Sequence, residues 1–392
     1  MALQHWLQLA LTDGIGPVLQ MRLIQACGNV ASACEANAST LRAIEGIGAG
    51  KSKTIFDSLR RSADEVQREL AKVRDAGVSL ICIEDEAYPA LLREIPDPPA
   101  VLYVRGALEP RDLNSLAIVG SRKCSLYGRE QAERFAALLA GAAVTVVSGG
   151  ARGVDSSAHR GAMAHERGRT IAVLGSGVDV AYPPENASLF DQIAQRGAVI
   201  SEYPLGTPPI AENFPRRNRI VSGMTRGVLV IEADERSGAL ITARQACDDH
   251  GRPVFALPGR VDNKLSIGPH KLIRDGATLV TKLEDILDEL GPLPQSAIVE
   301  TSLFSNSSQL ESTQSATTPF DEAQDRQPAA RAEAVGLSDQ QRSILLHLDE
   351  PLDVEAIIER TTLPAHRVLQ ELTFLSLRGL VRREGQQYAR RN

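Results

Sequence analysis

Residues 214–220 combine the side chains that bind phosphates with one that can stack on a base. Their sequence, Phe-Pro-Arg-Arg-Asn-Arg-Ile, places three guanidinium groups beside an aromatic ring. Guanidinium groups bind phosphates, and an aromatic ring stacks on bases of any identity. The segment lies between residues 172–177 and 227–233, which both have the pattern of a strand followed by a glycine turn. We therefore predict a loop that grips phosphates, although a solvated basic loop whose arginines pair with nearby carboxylates would have the same composition.

Glycine-rich turns follow several apolar segments that we predict to be strands. Three of them lie at residues 120–123, 149–153 and 175–177, and a fourth ends at residues 237–238. Glycine lets a ligand approach the backbone closely, and the N-terminus of a following helix attracts anions. The first two turns also carry arginine or lysine. Because several such turns end adjacent strands, the sequence predicts an anion site where they meet.

The sequence contains no pattern typical of catalysis or metal binding. No turn has the Gly-x-Gly-x-x-Gly fingerprint of dinucleotide-binding proteins, because Val180 stands where a third glycine would follow Gly175 and Gly177. Asp155 is at the position of an N-cap for the helix that follows it, so we expect it to cap that helix. His159 has no partners arranged as a triad, and no histidine pair has metal-ligand spacing. We predict no catalytic residue, no metal and no cofactor.

Composition and charge limit where an anion site can lie. The 392 residues carry a formal net charge of -6, so any nucleic-acid site must be a local basic patch. The five cysteines are scattered and form no Cys-x-x-Cys pair, which argues against a disulfide framework or a structural zinc site and fits a reducing compartment. No apolar run reaches the roughly 18 residues of a membrane span, and the N-terminus lacks a signal-peptide pattern. We therefore predict a cytoplasmic protein without a membrane partner.

Residues 75–292 have the pattern of an α/β domain. Short, continuously apolar runs, typical of strands covered on both faces, alternate with helical patterns. The predicted strands are residues 116–119, 144–148, 170–174, 228–232 and 254–257, and the predicted helices are residues 128–139, 156–165, 187–196 and 239–250. This alternation predicts a mainly parallel, doubly wound sheet that binds ligands at the carboxyl ends of its strands.

Residues 1–70 are predicted to form a domain of short helices. Glycine turns at residues 14–17 and 46–51 each precede a helical run, which is the pattern of helix-hairpin-helix, or SAM-like, modules. Both DNA contact and a plain structural role fit this pattern. Residues 50–52 imitate the end of a P-loop, but Glu45 stands where its first glycine is required, so we reject that interpretation.

Two further regions follow the α/β domain. Residues 293–336 are polar and poor in apolar side chains, so we predict a disordered linker. Residues 337–392 have a winged-helix pattern. Its predicted parts are helices at residues 337–348, 354–360 and 365–377 and a hairpin wing at residues 380–389. The third helix carries His366, Arg367 and Arg378 but also Glu371, so its face is only mildly basic and both DNA binding and protein docking fit it.

Several of these motifs, taken in order, resemble the DprA/Smf family of bacterial DNA-processing proteins. The motifs lie at residues 118–122, 148–155, 174–179, 182–183, 201–204, 214–220, 237–243 and 257–259, and the resemblance covers roughly residues 80–290. It implies an extended Rossmann-like domain that binds single-stranded DNA and forms a homodimer. It also implies that the protein protects incoming DNA during natural transformation and loads the recombinase RecA onto it. The family is described as a binding protein without established catalysis.

The resemblance and the physical argument agree on the same segments. The candidate nucleic-acid-binding residues are Gly120, Ser121, Arg122, Lys123, Gly149, Gly150, Arg152, Phe214, Arg216, Arg217, Asn218, Arg219, Ser237 and Gly238. In this interpretation Arg217 and Arg219 grip phosphates and Phe214 stacks a base. The backbone amides of the glycine turns would hold a further phosphate.

A nucleotide-binding enzyme or sensor, of the type that hydrolyses nucleotide glycosidic bonds, is the alternative hypothesis. Related Rossmann-like folds use similar turns for nucleotides, and fold alone does not separate the two functions. Glu232, at the end of a predicted strand, is the candidate carboxylate of such an enzyme. Otherwise we expect Glu232 to order an arginine of residues 216–219. His270 stands where asparagine is more common in the family, near its self-association surface, which leaves the details of the dimer open.

Overall fold

The computed structural model of the protein describes residues 2–292 and, with gaps, residues 339–390. The predicted linker and most of the third helix predicted for the winged helix lie outside the described residues. The chain divides into two compact units, Met1–Leu290 and Gly291–Asn392. Across the described ranges, every helix is too short or too polar to cross a lipid bilayer.

A nine-stranded sheet forms the centre of the first unit. Its strands are β1 (Ser79–Cys82), β2 (Val101–Gly106), β3 (Ser115–Val119), β4 (Thr145–Ser148), β5 (Thr170–Val173), β6 (Ala198–Ser201), β7 (Val228–Val230), β8 (Val254–Ala256) and β9 (Thr278–Leu279). Their order across the sheet is β1-β2-β6-β5-β4-β3-β7-β8-β9. The strands from β6 to β9 in that order are parallel, whereas β2 is antiparallel to both β6 and β1.

Helices separate the strands along the chain, as the alternating pattern predicts. They are α1 (Ala2–Ala10), α2 (Pro17–Cys27), α3 (Val30–Cys34), α4 (Ala38–Arg42), α5 (Ala49–Asp75), α6 (Ala90–Arg93), α7 (Leu126–Gly141), α8 (Val154–Ala164), α9 (Ala187–Arg196), α10 (Asn213–Gly223), α11 (Gly238–Arg244), α12 (Ile267–Arg274) and α13 (Glu284–Leu290). Strands β3 to β8 are buried along their whole length, which requires cover on both faces. The predicted α/β class and its parallel, doubly wound sheet are confirmed.

The order of the strands creates a crevice at the centre of the sheet. From β3 the chain moves outward through β4, β5 and β6, and it then returns to the other side of β3 to form β7, β8 and β9. The loops that leave β3 and β7 therefore diverge to opposite sides. Ligands of open parallel sheets bind at such a switch point, beyond the carboxyl ends of the strands.

The N-terminal helices share a hydrophobic core with the sheet. Trp6, Leu59 and Val73 are buried in the same cluster as Leu102 and Tyr103 of β2. Helix α5 is continuous to its end at Asp75 and so passes the predicted domain limit at residue 70. Helices α2 and α5 begin at Pro17 and Ala49, within the two predicted glycine turns. DNA contact by these turns stays a prediction.

Helices α7 and α8 approach each other closely at one glycine. Gly161 of α8 lies against the backbone of Glu133 of α7, and a Cβ at position 161 would overlap the Glu133 carbonyl oxygen. Backbone atoms cannot yield to such a contact as a flexible side chain can. Because α8 directly follows the turn after β4, this contact also fixes the position of that turn.

The second unit contains helices packed with a small antiparallel sheet. Its described elements are α14 (Asp339–His347), β10 (Leu352–Asp353), α15 (Val354–Thr361), β11 (Val381–Glu384) and β12 (Gln387–Arg390), with the strand order β10-β12-β11. Glu371 is buried and accepts a hydrogen bond of 2.7 Å from Nε2 of Gln341. Glu371 therefore does not reduce the charge of an exposed helix face, contrary to our interpretation of the sequence. His366, Arg367 and Arg378 lie outside the described residues.

The contact at Gly161 predicts a loss of stability on substitution. We expect Gly161→Ala to lower the free energy of unfolding of the first unit by about 1–3 kcal/mol, because α7 and α8 must move apart. Urea unfolding followed by the fluorescence of Trp6, the only tryptophan of the chain, measures the change. Gly50→Ala is the control, because a Cβ at position 50 of α5 meets no atom within 4 Å. Equal unfolding midpoints for the two variants would contradict this account of the helix contact.

Candidate nucleic-acid interface

A cleft of about 910 Å³ lies at the carboxyl edge of the sheet, at the switch point beside β3. Its walls come from the turns that follow β3 and β4, from α10, from the turn before α11 and from the segment that follows β8. The predicted site residues that line it are Gly120, Ser121, Arg122, Lys123, Gly149, Phe214, Arg217, Asn218, Ser237 and Gly238. The fold therefore gathers most of the candidate residues, from four separate segments of the chain, around one cleft.

Residues 214–220 belong to helix α10, so the prediction of a loop was wrong. Pro215 lies in the first turn, where a helix needs no N–H donor and the fixed φ of proline is favourable. The side chains of α10 that line the cleft are those of Phe214, Pro215, Arg217, Asn218 and Val221. Most of them follow the i, i+3, i+4, i+7 spacing of a single helix face. The dense run of arginines led us to predict an exposed loop. The helix instead places these arginines on different faces.

Phe214 forms an aromatic and cationic cluster at the wall of the cleft. Its ring centroid lies 5.4 Å from that of Tyr182, with 46° between the ring planes. The guanidinium carbon of Arg122 lies 5.2 Å from the centroid of the Phe214 ring. Gly175 makes room for this ring, because a Cβ there would lie 3.0 Å from Cδ1 of Phe214. The ring is therefore held in place beside a mobile positive charge.

Positive side chains outnumber carboxylates along the cleft. The cationic residues are Arg122, Lys123, Arg217, Arg236 and Lys264, and the acidic residues are Asp155 and Asp234. Four of these cations, all but Arg217, are exposed, and within residues 2–292 none of the four forms an ion pair. An acidic protein thus carries a local basic patch whose charges are free to meet an external anion.

Arg217 forms part of the floor of the cleft. It is 3% exposed, and its Nη1 donates a hydrogen bond to the carbonyl oxygen of Val173. Gly149 lies directly against the guanidinium group, which a Cβ at that position would overlap. Burial lowers the pKa of Arg217 to about 10, against the opposing effect of Asp155, so the group is still charged at neutral pH. Arg217 therefore adds positive electrostatic potential at the floor of the cleft, whereas the sequence predicted that it binds a phosphate directly.

Arg219 lies outside the cleft, in a buried ion-pair cluster. Its Nε is 2.9 Å from Oδ2 of Asp97, and its Nη2 is 2.7 Å from Oε2 of Glu202. Arg219 is 5% exposed, and burial raises the pKa of Glu202 although Arg219 opposes that effect. The predicted phosphate grip by Arg219 does not agree with this geometry, because two carboxylates already neutralise its charge. Pairing with carboxylates was the alternative for this segment, and it describes Arg219 correctly.

Three other candidates also lie outside the main cleft. Arg216 is exposed on another part of α10. Gly150 has φ of +67° and lies against the ring of Phe190, where a Cβ would come within 2.8 Å, so its role is structural. Arg152 is exposed and paired with Glu185, at a smaller pocket that adjoins the cleft.

Protein carboxylates occupy the helix N-termini that follow the first two glycine turns. Asp155 lies in the first turn of α8, after the N-cap residue Gly153, and accepts a hydrogen bond of 3.2 Å from the backbone N–H of Ala151. Glu232 accepts hydrogen bonds of 2.7 and 2.6 Å from the backbone N–H and the hydroxyl of Ser125, the N-cap of α7. Carboxylates of the protein thus take one backbone N–H at each of these two turns, and phosphate binding by the other turn amides stays a prediction.

Two sequence predictions are corrected by these contacts. Asp155 does not cap α8, because the helix begins one residue before it. Glu232 orders the start of α7, and within residues 2–292 it forms no ion pair with an arginine of α10. Its two oxygens accept hydrogen bonds from Ser125, so it does not order an arginine of residues 216–219 as the sequence suggested.

His159 belongs to the core. It is fully buried, and its Nδ1 lies 2.7 Å from Oγ1 of Thr170. That hydroxyl donates to the carbonyl oxygen of Val146, so Nδ1 carries the proton that it shares with Thr170. Burial lowers the pKa of His159 to about 3. In the described part of the chain, no group of three histidine, cysteine or acidic residues is arranged to hold a metal ion.

Sequence reasoning missed three prominent residues of the site. Tyr182 was part of a recognised motif but received no role. Arg236 stands next to Ser237 in the fourth turn, so the charge of that turn could have identified it. Lys264 follows β8 in a short 3-10 turn, and no periodic or compositional signal distinguishes it from other surface lysines.

Comparisons with known proteins agree with this fold. A family model described as DNA recombination-mediator protein A matches residues 79–291, and one described as the DprA winged helix domain matches residues 327–387. The chain is 39% identical over 294 residues to Protein Smf of Synechocystis sp., which covers 74% of this chain and 73% of that protein. It is 45% identical over 207 residues to the DNA processing protein DprA of Streptococcus pneumoniae, or 53% of this chain and 72% of that protein.

A solved structure of a DNA-processing protein also matches this chain. The X-ray structure of DNA processing protein A from Streptococcus pneumoniae matches with a TM-score of 0.63 and 35% sequence identity, over 72% of this chain and 95% of that chain. The predicted resemblance, the Rossmann-like sheet and the C-terminal winged helix are confirmed by these matches. The chain therefore belongs to the DprA/Smf family of DNA-processing, recombination-mediator proteins.

Proposed function

We propose that this protein binds single-stranded DNA in the cleft and acts in the cytoplasm as a recombination mediator during natural transformation. One observation carries the proposal: the cluster of Phe214 and Tyr182 lies beside exposed cationic side chains that form no ion pair within residues 2–292. An aromatic platform with a positively charged groove binds single strands of any sequence. A duplex keeps its bases stacked inside the helix, so it cannot present them to such a ring.

The cations are distributed so that a strand would meet them from several sides. Arg122 and Lys123 follow β3, Arg236 precedes α11, and Lys264 follows β8. Arg217 adds positive potential from the floor. Phosphates of consecutive nucleotides would therefore contact different walls while a base stacks on Phe214. In this proposal Arg219 does not touch DNA but positions the helix that carries Phe214 and Arg217.

The role of Arg122 can be tested through the salt dependence of binding. We expect Arg122→Ala to weaken the binding of a labelled oligothymidine about three- to tenfold at moderate salt. It should also reduce the slope of log affinity against log salt by about 0.7, the value for one lost phosphate contact on a single strand. Fluorescence anisotropy at several salt concentrations measures both quantities.

Arg68→Ala is the matched control for this experiment. Arg68 is an exposed arginine of α5, outside the cleft, so its removal changes the net charge equally. We expect a smaller loss of affinity and an unchanged slope for this control. If the two variants behave alike, Arg122 does not contact a phosphate.

The role of Phe214 can be tested through strand preference. Phe214→Leu keeps an apolar side chain in the wall but removes the ring, so we expect a loss of about 1–3 kcal/mol of binding free energy for one stacked base. The salt slope should not change, because no charge is removed. The preference for single-stranded over duplex oligonucleotides should fall by the same factor. Tyr127→Leu, an exposed aromatic outside the cleft, is the control, and an equal effect in both variants would argue against stacking on Phe214.

The proposal includes homodimer formation through the Rossmann-like domain and the loading of RecA. The description of the family as a recombination mediator supports RecA as partner, and exposed Ile267 and Leu279 support an apolar contact surface beside α12. We expect the full chain to shorten the lag of RecA-dependent ATP hydrolysis on strands coated with single-strand-binding protein, and Phe214→Leu to lose this effect. Sedimentation velocity measures whether the chain forms a dimer in solution, and we expect the mass of a dimer. An unchanged lag with the natural chain would contradict RecA loading.

A further inference from the structure

An ion pair lies at the edge of the smaller pocket beside the cleft, and its arginine, Arg152, lines that pocket. Arg152 and Glu185 face each other with both ends of the guanidinium group engaged: Nε contacts Oε1 of Glu185, and Nη2 lies 3.0 Å from Oε2. Both side chains are about half exposed, at 54% and 52%. The geometry is the planar, bidentate fork by which arginine also binds a phosphate.

The location of this pair connects it with the proposed DNA site. The lining of the pocket includes Arg152, Arg122, Gly149, Tyr182 and Phe214. All of these except Arg152 also line the main cleft. The pocket therefore continues the cleft past the aromatic cluster. Arg152 and Phe214 therefore border the same pocket, so a strand that stacks a base on Phe214 can approach Arg152.

The turn that carries Glu185 is hydrogen-bonded to the turn that carries Arg152. Glu185 lies in a 3-10 turn, Pro184–Asn186. The side-chain amide of Asn186 donates to the carbonyl oxygen of Gly150 at 3.0 Å and to Oγ of Ser156 at 2.9 Å. The backbone of the turn that carries Glu185 is thus anchored next to Arg152 by contacts that do not involve the ion pair. The turn therefore does not depend on the ion pair for its position.

We propose that Arg152 is a second phosphate site for the strand and that Glu185 is an internal anion that competes with the DNA phosphate for it. The inference rests on the proposed function, because it extends the path of the strand beyond the cleft. Exposed ion pairs contribute little to stability, so a phosphate can displace Glu185 at small cost. Glu185 therefore weakens DNA binding in the natural chain, and its loss should strengthen binding.

Removing the carboxylate of Glu185 tests this inference directly. We expect Glu185→Gln to bind a labelled oligothymidine about two- to fivefold more tightly at moderate salt, as the loss of one exposed ion pair allows. The salt slope should become steeper by up to about 0.7, because Arg152 then neutralises a phosphate without leaving an unpaired carboxylate beside it, and the cation condensed on that phosphate is released. In an Arg152→Ala background the same substitution should have no such effect. Anisotropy titrations of the four chains of this cycle measure the coupling.

Glu65→Gln is the matched control, because Glu65 pairs with the exposed Arg68 on α5, outside the cleft. It makes the same chemical change and the same change in net charge. Equal affinities of Glu185→Gln and Glu65→Gln would overturn the inference, as would a gain that persists in the Arg152→Ala background. If Arg122→Ala and Phe214→Leu weaken binding while Glu185→Gln brings no gain, only the role of Glu185 fails. If none of these variants changes binding, the proposed DNA site fails as well.

Discussion

The burial of the Arg219 guanidinium group determines where helix α10 lies. A charged group inside a protein is costly unless partners of opposite charge and good geometry accompany it. Asp97, which precedes β2, and Glu202, which follows β6, supply these partners from two other segments. Removing one partner of a buried pair typically costs about 3–5 kcal/mol. Helix α10 is therefore tied to the antiparallel side of the sheet, and its opposite face is left to form the wall of the cleft.

The same rule explains how an acidic protein maintains a basic cleft. Carboxylates lie next to the arginines that have structural tasks, such as Arg219 and Arg169, which pairs with Asp112 at 2.6 Å. Others occupy the helix ends after the glycine turns, as Asp155 and Glu232 do. Within residues 2–292, the exposed cations of the cleft form no ion pair with a carboxylate. The distribution of carboxylates, and not the total charge, makes this edge of the sheet attractive to an anion.

The sequence was informative where a local pattern has a single structural solution. Continuous apolar runs bounded by glycine predicted β3, β4 and β5, because runs of this short length are typical of strands covered on both faces. The meeting of the turns at one edge followed from parallel topology. The occupants of the helix ends could not be predicted, because Glu232 reaches Ser125 across 107 residues. Asp97 likewise lies 122 residues from Arg219, and no spacing rule relates them.

The arginines of residues 214–220 show why composition alone is insufficient. An α-helix turns by about 100° per residue, so side chains two positions apart point to nearly opposite sides. Arg217 therefore lies beneath the cleft while Arg219 lies in the ion-pair cluster behind it, and Arg216 remains exposed. In a loop, all three arginines could have contacted the same ligand. Once the segment is a helix, only the residues that share a face with Phe214 can act with it, and the other arginines must serve the fold or the solvent.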